Sequence, residues 1–212
     1  MKNPTATEQK ADCYSSGERE TMEWGQQLRA RWLGPLLRFL TKYKASADLI
    51  TGASLISGLV FIPLVLFGWY IAAIVILALH VMLDGLDGPL ARLQGTASPR
   101  GSFTDTMADQ VVVTGVAIAW LLLDPTQWNI VIGGSFVFLY TLVVAMAMVR
   151  NALSVPYAWL VRPRFFFYAA LVVDLYWPLG LTFWLFLVSN VMLAIKGWSG
   201  FWALRKHLPG PK

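Results

Sequence analysis

The chain has 212 residues, of which 57% are hydrophobic and only 14% charged, against roughly 25% charged in an average soluble domain. That excludes an ordinary soluble globule and a disordered chain, while ten Trp, twelve Phe and seven Tyr suit a protein anchored at two water–lipid interfaces. The single cysteine, Cys13, excludes an intrachain disulfide framework and a cysteine metal site, and the net charge of +5 reads as a report of membrane topology, not of nucleic-acid binding.

Residues 1–22 are polar and mixed in charge, with no apolar core of a cleavable signal; they read as a mobile cytoplasmic tail. In residues 23–44, Trp24, Leu28, Trp32, Leu36 and Leu40 recur every fourth position with Arg29, Arg31, Arg38, Lys42 and Lys44 between them. This predicts an amphipathic helix lying on an anionic leaflet, bent or divided at Pro35. Apolar stretches follow over Leu49–Phe67, Trp69–Leu83, Phe103–Leu123 and Ile130–Val149, and then over Phe165–Ile195, 31 residues with Pro178 near the middle. One span needs about 20 residues, so the last stretch is long for one helix and tight for two.

Charge decides the number. Beyond residue 44 the basic residues are Arg92, Arg100, Arg150, Arg162, Arg164, Lys196, Arg205, Lys206 and Lys212. Six spans put all nine on one side, which the positive-inside rule makes cytoplasmic. The opposite turns, near Gly68, Asp124–Asn129 and Asp174–Pro178, then hold no Lys or Arg. The expected fold is all-α: an integral membrane protein with six transmembrane helices over residues 45–200 and a cytoplasmic C-terminal tail at 201–212.

Four acids interrupt this apolar frame: Asp84, Asp87, Asp105 and Asp109. Ionisable residues inside spans are costly and mark function. If spans two and three form an antiparallel hairpin turning within residues 93–100, Asp84 matches Asp109 in depth and Asp87 matches Asp105. Asp84, Asp87 and Ala91 share one helix face, as do Gly101, Asp105 and Asp109. Asp84 lies about 12 Å from Arg92 along its helix, so the cluster is shallow and open to a water-soluble substrate. Four facing carboxylates repel at low dielectric, and Arg92 and Arg100 cannot neutralise all four. Oxygen ligation suits a hard divalent ion, and two ions about 4 Å apart would suit phosphoryl chemistry.

The run Asp84-Gly-Leu-Asp87-Gly88-Pro-Leu-Ala91-Arg92, then Gly101, Asp105 and Asp109, resembles the signature of the CDP-alcohol phosphotransferases (CDP-alcohol phosphatidyltransferases), class I, with every signature position filled. A weaker resemblance lies at Asp48 and Thr51, where Ala47 replaces the family's usual Pro. The resemblance implies displacement of CMP from a CDP-linked donor by an alcohol, with Mg²⁺ or Mn²⁺, two ions, held by Asp84, Asp87 and Asp105. Asp109 is implied as general base and as a further metal contact. Gly88, Ala91, Arg92, Gly101, Thr51 and Asp48 are implied beside the CDP group. For Gly88 and Gly101 the alternative is helix packing, for Arg92 a membrane-side anchor, and for Thr51 a packing hydroxyl. The compact length implies CDP-diacylglycerol as donor and a bacterial-type inner membrane; the positive-inside reading puts the active site and both termini in the cytoplasm, and the resemblance implies a homodimer.

The acceptor is open among glycerol 3-phosphate, inositol, inositol phosphate and serine. Arg150, Arg162, Arg164 and Lys196 fall on the active-site side. Arg150 and Arg162 are the candidate acceptor contacts, which leans the reading to a phosphorylated acceptor such as glycerol 3-phosphate. Asn151 after Arg150 departs from the Arg-Glu often found in phosphatidylglycerophosphate synthases. A divalent-metal transporter is the reading from another class, but the outer halves of spans two and three offer it no polar path. His80 reads as a packing or hydrogen-bonded residue more readily than a ligand contact. Gly52, Ser54 and Gly58 read as helix-contact residues, and Asp124 and Asp174 as solvated loop residues.

Overall fold

The computed structural model describes residues 33–153, 155 and 163–208. The expected 1–22 tail, the first ten residues of the 23–44 segment, Arg162 and the last four residues lie outside the described residues. Among the described residues every element is a helix: α1 over 33–42, then α2 (Ala47–Leu66), α3 (Tyr70–Leu93), α4 (Pro99–Leu123), α5 (Gln127–Leu153), α6 (Arg164–Tyr176) and α7 (Leu181–His207). The chain forms two compact units, one holding α1–α4 and ending at Asp124, the other holding α5–α7 from Pro125 onward.

In the first unit α2 is the central helix. Ser46 caps it, its hydroxyl accepting from the Leu49 N–H at 3.2 Å, and Ala47 takes the first helical position, where either Ala or Pro serves. The buried residues Ile50, Thr51, Ser54, Gly58, Phe61 and Val65 form one stripe at helical spacing. Both α3 and α4 pack chiefly against α2, and only weakly against each other. The hairpin of spans two and three is therefore closed by a third helix. Gly58 makes the α2–α4 approach possible: a Cβ there would lie 2.5 Å from both methyls of Val112. Between α3 and α4 the chain turns at Gly95, in the left-handed region at φ +67, where glycine carries no Cβ penalty. Ser98 then caps α4 through the Gly101 N–H, and Pro99 opens the helix.

In the second unit Phe136, Phe167 and Phe186, one from each helix, meet with ring centroids 4.2–5.9 Å apart. The Asn190 side-chain amide donates to the Ile132 carbonyl at 2.9 Å, and Gly197 faces Leu142 and Val143. Between α6 and α7 the chain reverses through Trp177–Gly180, with Gly180 at φ +69. Asp174 is a cap and not a solvated loop acid: its two oxygens accept from the Leu181 and Thr182 N–H groups at 3.0 and 2.7 Å, at the positive end of α7.

Five described helices, α2, α3, α4, α5 and α7, are long and apolar enough to cross a membrane. The expected fifth of six spans corresponds to α6, whose 13 residues reach about 20 Å, against a hydrocarbon core of about 30 Å. The turn containing Pro178 removes the second half of the 31-residue apolar stretch from this helix and gives it to α7.

Candidate functional site

The acid-bearing segments converge in the first unit. Asp84 on α3 and Asp105 and Asp109 on α4 each present a carboxylate oxygen within 4.8 Å of the others, and all three are half-buried. Oxygens sharing one octahedral Mg²⁺ lie about 3–4 Å apart, given Mg–O distances near 2.1 Å. The trio could hold one hard divalent cation after a modest closure of the three side chains.

Asp87 is held differently. It is buried, and the Thr51 hydroxyl of α2 donates to its Oδ2 at 2.8 Å while the Gly88 N–H donates to its Oδ1 at 2.6 Å. It also lies within interaction range of Asp105 and Asp109. The expected four-acid cluster is thus a trio with a fourth carboxylate oriented from the side by α2. Thr51, whose hydroxyl also lies 3.2 Å from the Ala47 carbonyl, is neither idle nor free to turn wholly to a ligand.

The remaining expected residues separate. Gly88 and Gly101 have no packing partner that would demand glycine: the nearest atoms to an added Cβ are the Arg92 guanidinium at 3.5 Å and the Ser98 hydroxyl at 3.4 Å. Helix packing does not account for either. Ala91 is half-buried and Arg92 exposed, its guanidinium folded back one turn over Gly88. Asp48 is exposed in the first turn of α2 and stands outside the carboxylate trio. Arg150 belongs to the second unit, where it is buried and donates through Nε and a terminal nitrogen to Asn151 Oδ1 at 3.2 and 3.1 Å. Arg164 and Lys196, also in that unit, are buried too.

A second polar pair joins α2 to α3. Ser54 and His80 are both buried. The Ser54 hydroxyl donates to the His80 carbonyl at 3.1 Å, and His80 Nδ1 lies 3.0 Å from the Ser54 carbonyl and 2.9 Å from its Oγ. A proton on Nδ1 satisfies all three contacts. The signal was present in the sequence, since Thr51 and Ser54 are one turn apart, as are His80 and Asp84. The pairing across helices was not. Gly52, by contrast, has nothing within 4 Å of an added Cβ and is not a helix-contact residue.

Apolar membrane-length helices and a half-buried carboxylate trio define the class: a helical membrane protein with an acidic, cation-ready site. The family model for CDP-alcohol phosphatidyltransferases matches residues 44–202, and the chain belongs to that family. Its relatives include the inner membrane protein YnjF of Escherichia coli K12, 34% identical over 104 residues (49% of this chain, 50% of the relative). The archaetidylinositol phosphate synthase of Aeropyrum pernix is 32% identical over 82 residues (39% and 42%). A rice chloroplastic CDP-diacylglycerol–glycerol-3-phosphate 3-phosphatidyltransferase is 35% identical over 112 residues (53% and 33%). The matched segments span half or less of each of these relatives. The fold is shared with Mycobacterium tuberculosis phosphatidylinositol phosphate synthase PgsA1, solved with manganese and citrate. That structure superposes with a TM-score of 0.71 at 15% identity and covers 84% of this chain and 92% of that one. None of these relatives lends support to a metal transporter.

Proposed function

We propose that the chain is an integral-membrane transferase that moves a phosphatidyl group from CDP-diacylglycerol to a small alcohol and releases CMP. The observation that carries this is the trio Asp84, Asp105 and Asp109, set within a filled family signature. In the reaction, the acceptor oxygen bonds to the phosphorus that carries diacylglycerol. The bond from that phosphorus to the oxygen bridging to CMP breaks, and the hydroxyl proton passes to Asp109. Asp84, Asp105 and Asp109 would hold one Mg²⁺ or Mn²⁺, and Asp87 would complete a second site. Bound there, the cations neutralise pyrophosphate charge. Thr51 fixes the direction of Asp87. Arg92, over Gly88, offers a bidentate grip on phosphate, and the open faces of Gly88 and Gly101 let a nucleotide approach the backbone. Ala91 and Asp48 complete the nucleotide surface.

The acceptor reading leans to one bearing its own phosphate, such as glycerol 3-phosphate. Arg150 supports it as the cation that directly continues the uncharged stretch Ile130–Val149. Arg162 joins it on the sequence argument alone. Six crossings, with both termini and the site cytoplasmic in a bacterial-type inner membrane, are supported by the distribution of Lys and Arg beyond residue 44, which six spans put on one side. The test is CMP release by purified protein with CDP-diacylglycerol, Mn²⁺ and a panel of alcohols, alongside Asp109→Asn. That variant should lose about 10²–10⁴-fold in turnover while retaining donor binding; wild-type turnover would remove Asp109 from the chemistry.

A further inference from the structure

The two faces of α1 differ in what they meet. One carries Leu33, Leu36, Leu37 and Leu40, which pack with Ile50 of α2 and with Leu83, Leu86 and Leu90 of α3. Leu86 and Leu90 lie one residue before and three residues after Asp87, so α1 buttresses the turn of α3 that presents that carboxylate. A second tie runs alongside: the Gln94 side-chain amide, just past α3, donates to the Ala45 carbonyl at 2.7 Å. The opposite face exposes Arg38, Phe39, Lys42 and Tyr43. Spacing of four residues places Arg38 beside Lys42 and Phe39 beside Tyr43, and the two rings lie 4.6 Å apart.

Residues 33–47 contain three cations and no acid, with Asp48 the next residue, so the segment is net cationic. Cations alternating with aromatics suit the boundary of headgroups and acyl chains better than open water, and α2 leaves this segment directly as a membrane-length helix. Lys44, the third cation, sits at φ +56. Its N–H donates to the Thr41 carbonyl and the Ala45 N–H to the Leu40 carbonyl, a helix ending in which glycine is the usual residue. A lysine there keeps a charge at the expense of backbone strain.

We propose that α1 is an anionic-lipid sensor: its Arg38–Phe39–Lys42–Tyr43 face docks on acidic headgroups, and the docked helix holds Leu37 against Leu86 and Leu90 so that Asp87 stays aimed at the site. The activity half of this inference rests on the transferase reading; the docking half does not.

The experiment uses full-length protein with Cys13→Ser and Thr41→Cys, a fluorophore on the exposed position 41, and two vesicles. One is pure phosphatidylcholine and the other contains phosphatidylglycerol, both at one mole fraction of CDP-diacylglycerol. Shielding of the dye from aqueous iodide and CMP release are read together. Phosphatidylglycerol should shield the dye and raise CMP release. Arg38→Gln with Lys42→Gln should weaken docking about fivefold per cation and flatten the lipid response. Leu37→Ala, or Gln94→Ala should Leu37→Ala fail to fold, should keep the shielding and lose the activation. Equal shielding in both vesicles, or an unchanged response in the double glutamine variant, overturns the docking. Shielding that grows with protein concentration in neutral detergent assigns the face to a second copy and also overturns it. Activation retained in both Leu37→Ala and Gln94→Ala overturns the coupling to Asp87. If no acceptor yields CMP in either vesicle, the transferase reading fails while the shielding still decides the docking.

Discussion

Replacing Thr51 with Val removes one hydroxyl and little volume. In the native chain that hydroxyl donates to Asp87 Oδ2 at 2.8 Å inside a buried contact between α2 and α3. A hydrogen bond to a charged group contributes about 1.5–3 kcal/mol, or about tenfold to a hundredfold. Asp87 keeps the Gly88 N–H at 2.6 Å, and the Thr51 proton has an alternative acceptor in the Ala47 carbonyl. Both facts draw the expectation to the lower end, about tenfold. The loss should fall on cation use: the Mn²⁺ concentration giving half-maximal CMP release should rise, with the CDP-diacylglycerol KM nearly constant. A direct nucleotide contact would do the reverse, raising the donor KM and leaving the Mn²⁺ dependence in place. A variant that matches wild type in both quantities would refute the argument that Thr51 orients Asp87.

Other outcomes follow from the same geometry. Gly58→Ala should cost about 1–3 kcal/mol by overpacking, because Val112 is buried and a branched side chain in a helix has little rotamer freedom to yield. Gly52→Ala, with open space around it, should be neutral or stabilising by up to about 1 kcal/mol; thermal unfolding in detergent compares the two. Lys44→Gly should stabilise by about 1 kcal/mol by relieving the left-handed backbone, read in the same assay. A chelator should abolish CMP release and Mg²⁺ or Mn²⁺ restore it; full activity in excess chelator would refute a cation at the aspartate trio. Arg150→Ala should raise the acceptor KM about tenfold or more by loss of a charge-assisted pair and leave the donor KM unchanged.

What the sequence disclosed about this site follows from helical arithmetic. Spacing of three and four residues puts Asp84 and Asp87 on one face of α3, and Asp105 and Asp109 on one face of α4. The Gly-Ser-Thr-Pro turn between them lets the two faces converge, and three of the four expected acids meet. What arithmetic within one helix cannot give is the rotation of a third helix. The diversion of Asp87 to Thr51, and the Ser54–His80 pair, depend on how α2 lies against α3. That is set by the contact surface of the two helices and by the leucine packing of α1 against both, features of surfaces and not of spacing. Asp174 was misread for a related reason: a lone acid before a proline looks like a loop, and its role as a cap appears only once Gly180 turns α7 back toward it. The shortness of α6 was equally hidden, since hydropathy runs unbroken through the turn at Trp177–Gly180 while the backbone does not.

The division of the four acids into three and one bears on the electrostatic difficulty they pose. Four equivalent carboxylates in a low-dielectric setting would repel until some bound protons. Here Asp87 receives two hydrogen bonds from the protein itself, so its direction does not depend on a cation. Asp84, Asp105 and Asp109 share a smaller space, with oxygens within 4.8 Å, and their mutual repulsion is relieved when a divalent ion enters. Cation affinity and site geometry are thus linked through α2. The helix that orients Asp87 through Thr51 is the helix against which both α3 and α4 pack, so a change in its seating alters the fourth carboxylate and the spacing of the other three together. A variant such as Gly58→Ala, distant from every acid in sequence, should for that reason weaken Mn²⁺ activation as well as lower thermal stability. An unaltered Mn²⁺ requirement in a clearly destabilised Gly58→Ala protein would mean that the trio is set by α3 and α4 alone.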